Sequence, residues 1–328
     1  MEKQQKSTGK KKERSIVNRI FVISLCVLLS AYAVSIIITL IWGLLTSLKN
    51  PYDLSINNNW IGFPTLDKAN LANSREYFFG FLNYKIIFQD YHLIEDNCKI
   101  SFITGTGERI THYASGGFAM VIVNTFVYTI VGSLLHTIIP ALTAYAVTKF
   151  DNWVGRLVTG AALFAMTTPI VGNQGAMLNL LRGLGIYDTF WGYLLQKATF
   201  TGMYFFVFSA FYQSLPDSFS EAAEIDGASY YNILWSIIIP LSVKMMSTVF
   251  LIQFISFWND YQTANLYMPS HPTLAYAVWW MTQNNQFGGG EPVVRIASTM
   301  MLAMPILVAF IFLKDKLMGN VTMGGLKQ

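Results

Sequence analysis

The sequence predicts an all-α integral membrane protein with six transmembrane helices, and three observations predict it. The 328-residue chain is 53% hydrophobic yet only 12% charged, about half the charged fraction of a typical soluble domain. Four stretches hold nothing ionised at neutral pH: between Arg19 and Lys49, Arg109 and Lys149, Arg156 and Arg182, and Lys197 and Asp217. Each can contain the roughly 20 apolar residues that cross a bilayer as a helix. Two further candidates run from Ile237 to Asn259, interrupted only by Lys244, and from Ile296 to Leu313.

Residues 1–19 read as a basic cytoplasmic segment. Seven of the 22 Lys and Arg residues fall there, among them Lys10, Lys11, Lys12, Arg14 and Arg19. A cluster beside an apolar run is an orientation signal, not a nucleic-acid footprint, and the positive-inside rule keeps it in the cytoplasm. Six crossings return the tail, 314–328, with Lys314, Lys316 and Lys327, to the same side, and the short loop with Lys149 and Arg156 falls inside as well. The first helix is expected over 20–46. Ala31-Tyr32-Ala33 resembles a cleavage site, but the apolar run continues through VSIIITLIWGLL. That exceeds the roughly 7 to 15 residues of a signal-peptide core, so retention is expected.

Residues 47–117 form an extracytoplasmic loop by parity, and roughly 70 residues are too many for a mere connection. Its run FFGFLNYKIIFQDYHL can lie on the membrane, on a partner, or as a packed cap over the helices. Cys26 lies in the first helix and Cys98 in this loop, so no disulfide framework is implied.

Residues 118–313 make a five-helix transmembrane core. The second and third helices are joined inside by TKFDNWVGR, and the third meets Pro169, Gly172 and Gly175, residues that weaken helices. Asn173 and Gln174 are then expected at its outer end. A Gly-rich loop ending in NNQFGGGEP joins the fifth and sixth helices outside. Trp42, Trp191, Trp279 and Trp280 fall near predicted interfaces, where aromatic belts explain them without any function.

The fourth and fifth helices are joined inside by 214–236, and this loop contains the short acidic, Ala-rich stretch EAAEIDGAS at 221–229. Pro216 closes the helix before it. Ser218 and Glu221 have capping-box spacing, so a helix starts there. Gly227 supplies the left-handed residue that ends it. Eight or nine residues are fewer than the roughly 12 to 15 at which an isolated helix becomes marginally stable in water. Such a helix needs a surface to lean on. Ala222 and Ala223 offer a small face, and Glu221, Glu224 and Asp226 offer charge for a basic partner. An ordinary amphipathic connector is the plainer reading of the same residues.

The longer pattern favours the first reading. EAA, then Gly227, then Ile237 and Ile239-Pro240 resembles the EAA loop of permease subunits of bacterial ATP-binding cassette importers, with Ile239 where the family has Leu. EAAEIDGAS, SFWNDY and the C-terminal MGNVTMGGLKQ are similar to the maltose-transporter-type sugar permeases, on the six-helix side of the heterodimer. The resemblance covers roughly residues 118–328. It implies the type I importer permease fold in a bacterial cell membrane, with both termini cytoplasmic. It also implies a second homologous permease, two copies of an ATP-binding subunit and an extracytoplasmic sugar-binding protein as partners. In that family the EAA loop docks in the ATPase, which makes Glu221, Ala222, Ala223, Asp226, Gly227 and Ala228 the candidate coupling residues.

The chain itself is expected to be no enzyme and to hold no cofactor, ATP and Mg belonging to the partner ATPase. It has no phosphate-binding G-x-x-x-x-G-K-[ST] motif, since GTGER at 105–109 lacks the Lys. His92, His112, His136 and His271 are scattered, without metal-ligand spacing. A secondary transporter is the stronger rival, as is a permease for a non-sugar polar solute. Ion coupling usually leaves ionisable groups at mid-membrane, whereas Lys244 and Asp260 lie near predicted helix ends. For a translocation path the best candidates lie in LIQFISFWNDYQTANL. Gln253, Phe257 and Asp260 share one helix face with Ser256 beside it, a polar and aromatic stripe suited to sugar hydroxyls and C–H faces. Equally, Gln253 can bond between helices while Asp260 merely begins the outer loop.

Overall fold

The computed structural model describes residues 2–50, 53–54, 58–63, 81–103, 107, 109–114, 116–150, 152–168, 172–285 and 291–321. Pro169, the glycines at 288–290, most of GTGER and the end of the C-terminal motif lie outside them. Two compact units are present, one of 1–86 with 291–300 and one of 87–290 with 301–328.

In the first unit a single helix, α1 (Glu2–Ser47), runs through the basic segment into the first apolar stretch. Its apolar residues, Ile20, Phe21 and Leu28 among them, are exposed, as a helix facing lipid must be. Its end is fixed by polar ties: Asn83 Nδ2 donates to the carbonyls of Ser47 and Lys49 at 2.7 and 2.8 Å, and Lys49 Nζ donates to the carbonyl of Asn59 at 2.7 Å. The Trp42 indole, assigned above to an aromatic belt, donates to the carbonyl of Trp60 at 2.6 Å.

The run FFGFLNYKIIFQDYHL becomes two short helices, α2 (Leu82–Gln89) and α3 (His92–Asn97). Ile87, Tyr91 and Ile94, at helical spacing, are buried, and the rings of Phe88 and Tyr91 meet Phe118 edge-on at 4.6 and 5.6 Å. This is the packed cap, seated on the start of the next long helix. A two-stranded antiparallel hairpin follows, β1 (Lys99–Ile103) with β2 (Arg109–Tyr113), in register Ser101 to Thr111. The hairpin was not anticipated. Cys98 beside it is buried and free, with burial as the main cause that pushes its thiol up to about 12.

The centre of the second unit is α4 (Gly117–Lys149). Its buried side is mostly small residues, Thr125, Thr129, Gly132, Ser133, Thr137, Ala141 and Ala144, with the larger Tyr128 and Tyr145 among them. Small side chains let neighbouring helices approach closely, which is how helices pack where lipid is as apolar as Leu. The hydroxyls of Thr125, Ser133 and Thr137 each donate back to the carbonyl four residues earlier, at 2.6 to 2.7 Å, so these polar groups are satisfied inside the bundle. Two helices lie against this side: α8 (Met203–Ser214) and the 29-residue α10 (Tyr230–Trp258).

Among the described residues four helices are long and apolar enough to cross a membrane: Asn18–Ser47, Gly117–Lys149, Tyr230–Trp258 and Pro292–Ile311. The third and fourth expected helices are shorter. The third is α5 (Trp153–Thr167), followed after a break by α6 (Asn173–Gly183). The break lies where Pro169 and Gly172 were expected to weaken it; Thr168 is extended and Gly172 has φ +78°. Asn173 and Gln174 open α6 beyond it. The fourth is preceded by α7 (Phe190–Lys197) and reduced to the 12 residues of α8, which ends at extended Leu215 before Pro216. At 1.5 Å per residue α5 and α8 span about 22 and 18 Å. Beyond α10 come α11 (Gln262–Tyr267), α12 (Leu274–Gln283) and α13 (Pro292–Val321).

Candidate functional site

Between α8 and α10 the acidic, Ala-rich stretch forms α9 (Ser218–Ile225), eight residues with none buried. Its C-terminus closes as the sequence demands. Gly227 has φ +81°, its N–H donates to the Glu224 carbonyl at 3.0 Å, and the Ala228 N–H reaches the Ala223 carbonyl at 2.9 Å. That pair of bonds is the glycine-terminated motif that satisfies the last carbonyls of a helix.

The N-terminus departs from expectation. The capping box of Ser218 and Glu221 does not form: the cap position is Asp217, in helical conformation and without a side-chain capping bond. The Asp217 carboxylate instead accepts from Lys149 Nζ at 2.6 Å. An ion pair to the end of α4 has replaced a local hydrogen bond, and it anchors the loop to the bundle.

The two alanines also part company. Ala223 and Ala228 are half-buried against the cluster of Ala144, Tyr145, Tyr212 and Ile233. Glu221, Ala222, Glu224 and Asp226 are exposed, as is Gly227, and Ile225 is 87% exposed with Phe219 at 49%. One side of α9 therefore rests on this chain's own core. The other presents carboxylates around bare apolar side chains to the surroundings. Just beyond, the first turn of α10, Tyr230–Ile233, is followed by a π-helical turn at Leu234–Ile238, two residues before Pro240. Proline lacks an N–H and its ring crowds the carbonyl four residues back, here Ser236, which a widened turn relieves.

At the far end of α10 lie Gln253 and Phe257, and Asp260 follows two residues after the helix ends at Trp258. Gln253 and Phe257 are buried and Asp260 is partly so, on the side facing α4, while Ser256 is exposed on another side of the helix. Distant residues complete the cluster. Asp260 accepts from Tyr128 of α4, from the hydroxyl and N–H of Thr263 at 2.6 and 3.0 Å, and from Lys197 Nζ at 3.3 Å. The same ammonium lies 4.7 Å from the centre of the Phe257 ring, within cation–π range. His136 meets Phe257 edge-on at 5.0 Å and bonds Thr199 at 3.2 Å. Tyr193 reaches the Tyr128 carbonyl, which requires Gly132, since a Cβ there would overlap the Tyr193 hydroxyl.

Tyr128, Lys197 and Thr263 were not anticipated as parts of this cluster. Lys197 had drawn notice only as the edge of a charge-free run, and nothing local to it announces Asp260. Asp260 does more than begin a loop: it joins α4, α7 and α11.

A second cluster brings two of the four histidines, His112 and His271, to one carboxylate. Asp188, buried and with φ +58°, accepts from His112 of β2 at 2.7 Å and from the N–H of Ser270 at 3.0 Å, with His271 at 3.7 Å. Burial acts to raise its pKa, but the contacts from His271, Ser270 and His112 outweigh it and hold the carboxyl below the ordinary range. The cluster ties the hairpin to the segments before α7 and after α11. Among the described residues no group of three or more His, Cys, Asp or Glu is placed to hold a metal ion.

The family model described as binding-protein-dependent transport system inner membrane component matches residues 137–314. The chain is 27% identical over 214 residues to the trehalose transport system permease protein SugB of Mycobacterium tuberculosis (strain CDC 1551 / Oshkosh), covering 64% of this chain and 77% of that protein. It is 25% identical over 229 residues to the polygalacturonan/rhamnogalacturonan transport system permease protein YtcP of Bacillus subtilis (strain 168), with the same coverage. Its fold is similar to a chain in the crystal structure of a bacterial ABC transporter involved in the import of the acidic polysaccharide alginate. The TM-score is 0.67 at 21% identity, over 90% of this chain and 96% of the other.

Proposed function

The chain belongs to the family of binding-protein-dependent transport system inner membrane components, and from that premise we propose that it is one permease subunit of an ATP-driven carbohydrate importer. It forms half of a translocation path with a second, homologous permease. It is driven by two copies of a separate ATPase and fed by an extracytoplasmic binding protein.

The observation that carries the reading is α9, a helix too short to stand alone, with one side seated on the bundle and the other, bearing Glu221, Ala222 and Ile225, left open. A nucleotide-driven partner engaging that side can transmit its movement, because the Lys149–Asp217 pair and the Ala223 and Ala228 contacts join the helix to α4 and α8. Glu221, Ala222, Ala223, Asp226, Gly227 and Ala228 are the coupling set. Within it Ala223, Gly227 and Ala228 shape and seat the helix, and the others face the partner.

Carbohydrate as cargo is supported by the relatives that transport trehalose and polygalacturonan or rhamnogalacturonan. We assign the path side to Gln253, Ser256, Phe257 and Asp260. The exposed Ser256 is the direct contact, and the buried cluster around Asp260 holds that end of α10 in place. Six crossings follow if α5 and α8 cross as shorter helices beside the four long ones. Both termini and α9 are then cytoplasmic, as the basic residues at 10–19 support.

Co-purification of the chain with its neighbours, followed by identification of the ligand on the binding protein, tests the function. Recovery of an ATPase, a second permease and a bound carbohydrate is expected; a chain that transports alone contradicts it. For orientation, a cysteine introduced at exposed Ser218 should resist a membrane-impermeant reagent in intact cells. Reaction from outside would reverse the topology.

A further inference from the structure

Beyond the α10 C-terminus, α11 and α12 border an open cleft of about 420 Å³, within the range of about 300–1,000 Å³ common to small-molecule sites. Its wall is one face of α12: Tyr276, Trp279, Trp280 and Gln283 recur at the three- and four-residue spacing that places side chains on the same side of a helix. Asn265 of α11 faces them, and Asn284 and Asn285 close the end.

The chemistry of this lining is specific. Aromatic planes stand at one end of the face and neutral amides at the other, and among the described residues no charged side chain lines the cleft. The Trp279 ring is already oriented, stacked on Tyr261 at 5.4 Å and 11° and leaning on Tyr276 at 5.9 Å. Binding therefore does not have to order it. Within the described residues the side-chain amides of Asn265 and Gln283 make no hydrogen bond, so each retains two donors and an acceptor for a ligand. Tyr276 and Trp280 are only 4% and 9% exposed, so they back the wall, and the half-buried Trp279 is the ring open to a ligand.

A ligand with a flat C–H face for an aromatic ring and hydroxyls around its edge for amides is a sugar. A uronate would also bring a carboxylate, which is costly to desolvate without a cation beside it. We propose that the α11–α12 cleft is a contact site for a neutral sugar unit, separate from the stripe on α10. The proposal rests on the carbohydrate reading above and adds to it a location and a charge preference.

The test uses the complete transporter in lipid nanodiscs without its binding protein. Saturation-transfer NMR is recorded with maltotriose, cellotriose and xylotriose as neutral probes and trigalacturonate as the acidic one. At least one neutral trisaccharide should bind, and Trp279→Ala and Gln283→Ala should each weaken that binding roughly ten-fold, the loss typical of truncating a central contact. Gln283 is exposed, so its variant reports on contact without disturbing packing. Neutral binding that neither variant alters, no neutral binding at all, or trigalacturonate binding that depends equally on both residues overturns the proposal. If the binding protein carries a carbohydrate and the cleft variants change nothing, this proposal fails alone. If the ligand found there is not a carbohydrate, the carbohydrate reading fails instead.

Discussion

The N–H of Ala228 donates to the carbonyl of Ala223 at 2.9 Å across Gly227, whose φ is +81°. Both alanines lie against the bundle, so this bond fixes how α9 leaves it. Gly227→Val forces a β-branched residue into the left-handed region, at about 1–3 kcal/mol. The expected result is a protein that still inserts and pairs with its sister permease but whose ATPase activity responds less to loaded binding protein. Stimulated hydrolysis in proteoliposomes is the measurement, and a wild-type response would show that the closure is dispensable.

Lys197 and Asp260 make the second prediction. Their side chains are 13% and 20% exposed, so removing one partner leaves a largely buried charge. Lys197→Met should lower stability by roughly 3 kcal/mol, and Lys197→Met with Asp260→Asn should restore part of the loss. Thermal unfolding of the two variants decides it. Equal stability of the single variant and wild type would mean that the pair holds nothing.

The stripe on α10 supplies the third. Phe257 is buried against Tyr128, His136 and Lys197, so its truncation disturbs packing before it informs on cargo. Ser256 is the cleaner probe. Ser256→Trp should obstruct uptake by an order of magnitude or more, about 1.4 kcal/mol per ten-fold, while the ATPase stays assembled. Unchanged uptake would place the path on other helices.

The fourth prediction concerns pH. The folded-state pKa of Asp188 is lowered, so its stabilising contribution is present above the unfolded value of about 3.9 and is lost as pH falls through the folded value. Wild-type stability should therefore fall between neutral pH and pH below about 4 by more than that of Asp188→Asn. The variant should already be about 2 kcal/mol less stable at pH 7, having lost the charge its donors face. Denaturation followed at both pH values checks this, and parallel pH profiles would contradict it.

What was legible in the sequence was what is local. Gly227 announces a left-handed closure regardless of its surroundings, and the 3.6-residue period of α10 puts Gln253 and Phe257 on one side, with Asp260 just past the helix end. The capping box did not form because the cap position falls one residue earlier, at Asp217, whose carboxylate pairs with Lys149, 68 residues away. The partners of Asp260 and Asp188 were invisible for the same reason: Tyr128, Lys197, His112 and His271 meet them only through helix packing. The β1–β2 hairpin did leave a signal, the β-branched and aromatic alternation of KISFI and RITHY, but it was obscured by the length of the loop around it.

The coupling role of α9 is tested most directly by what stays bound when its open side is changed. Ala223 is unsuitable because it packs on the chain's own core, whereas Glu221 and Ala222 are exposed. The complex with Glu221→Lys and Ala222→Asp is purified in mild detergent, and its subunits and nucleotide hydrolysis are quantified. The account predicts that the second permease is retained while the ATPase is lost, or bound roughly 30-fold or more weakly, as expected for residues at the centre of an interface. Full retention of the ATPase together with wild-type transport would contradict it.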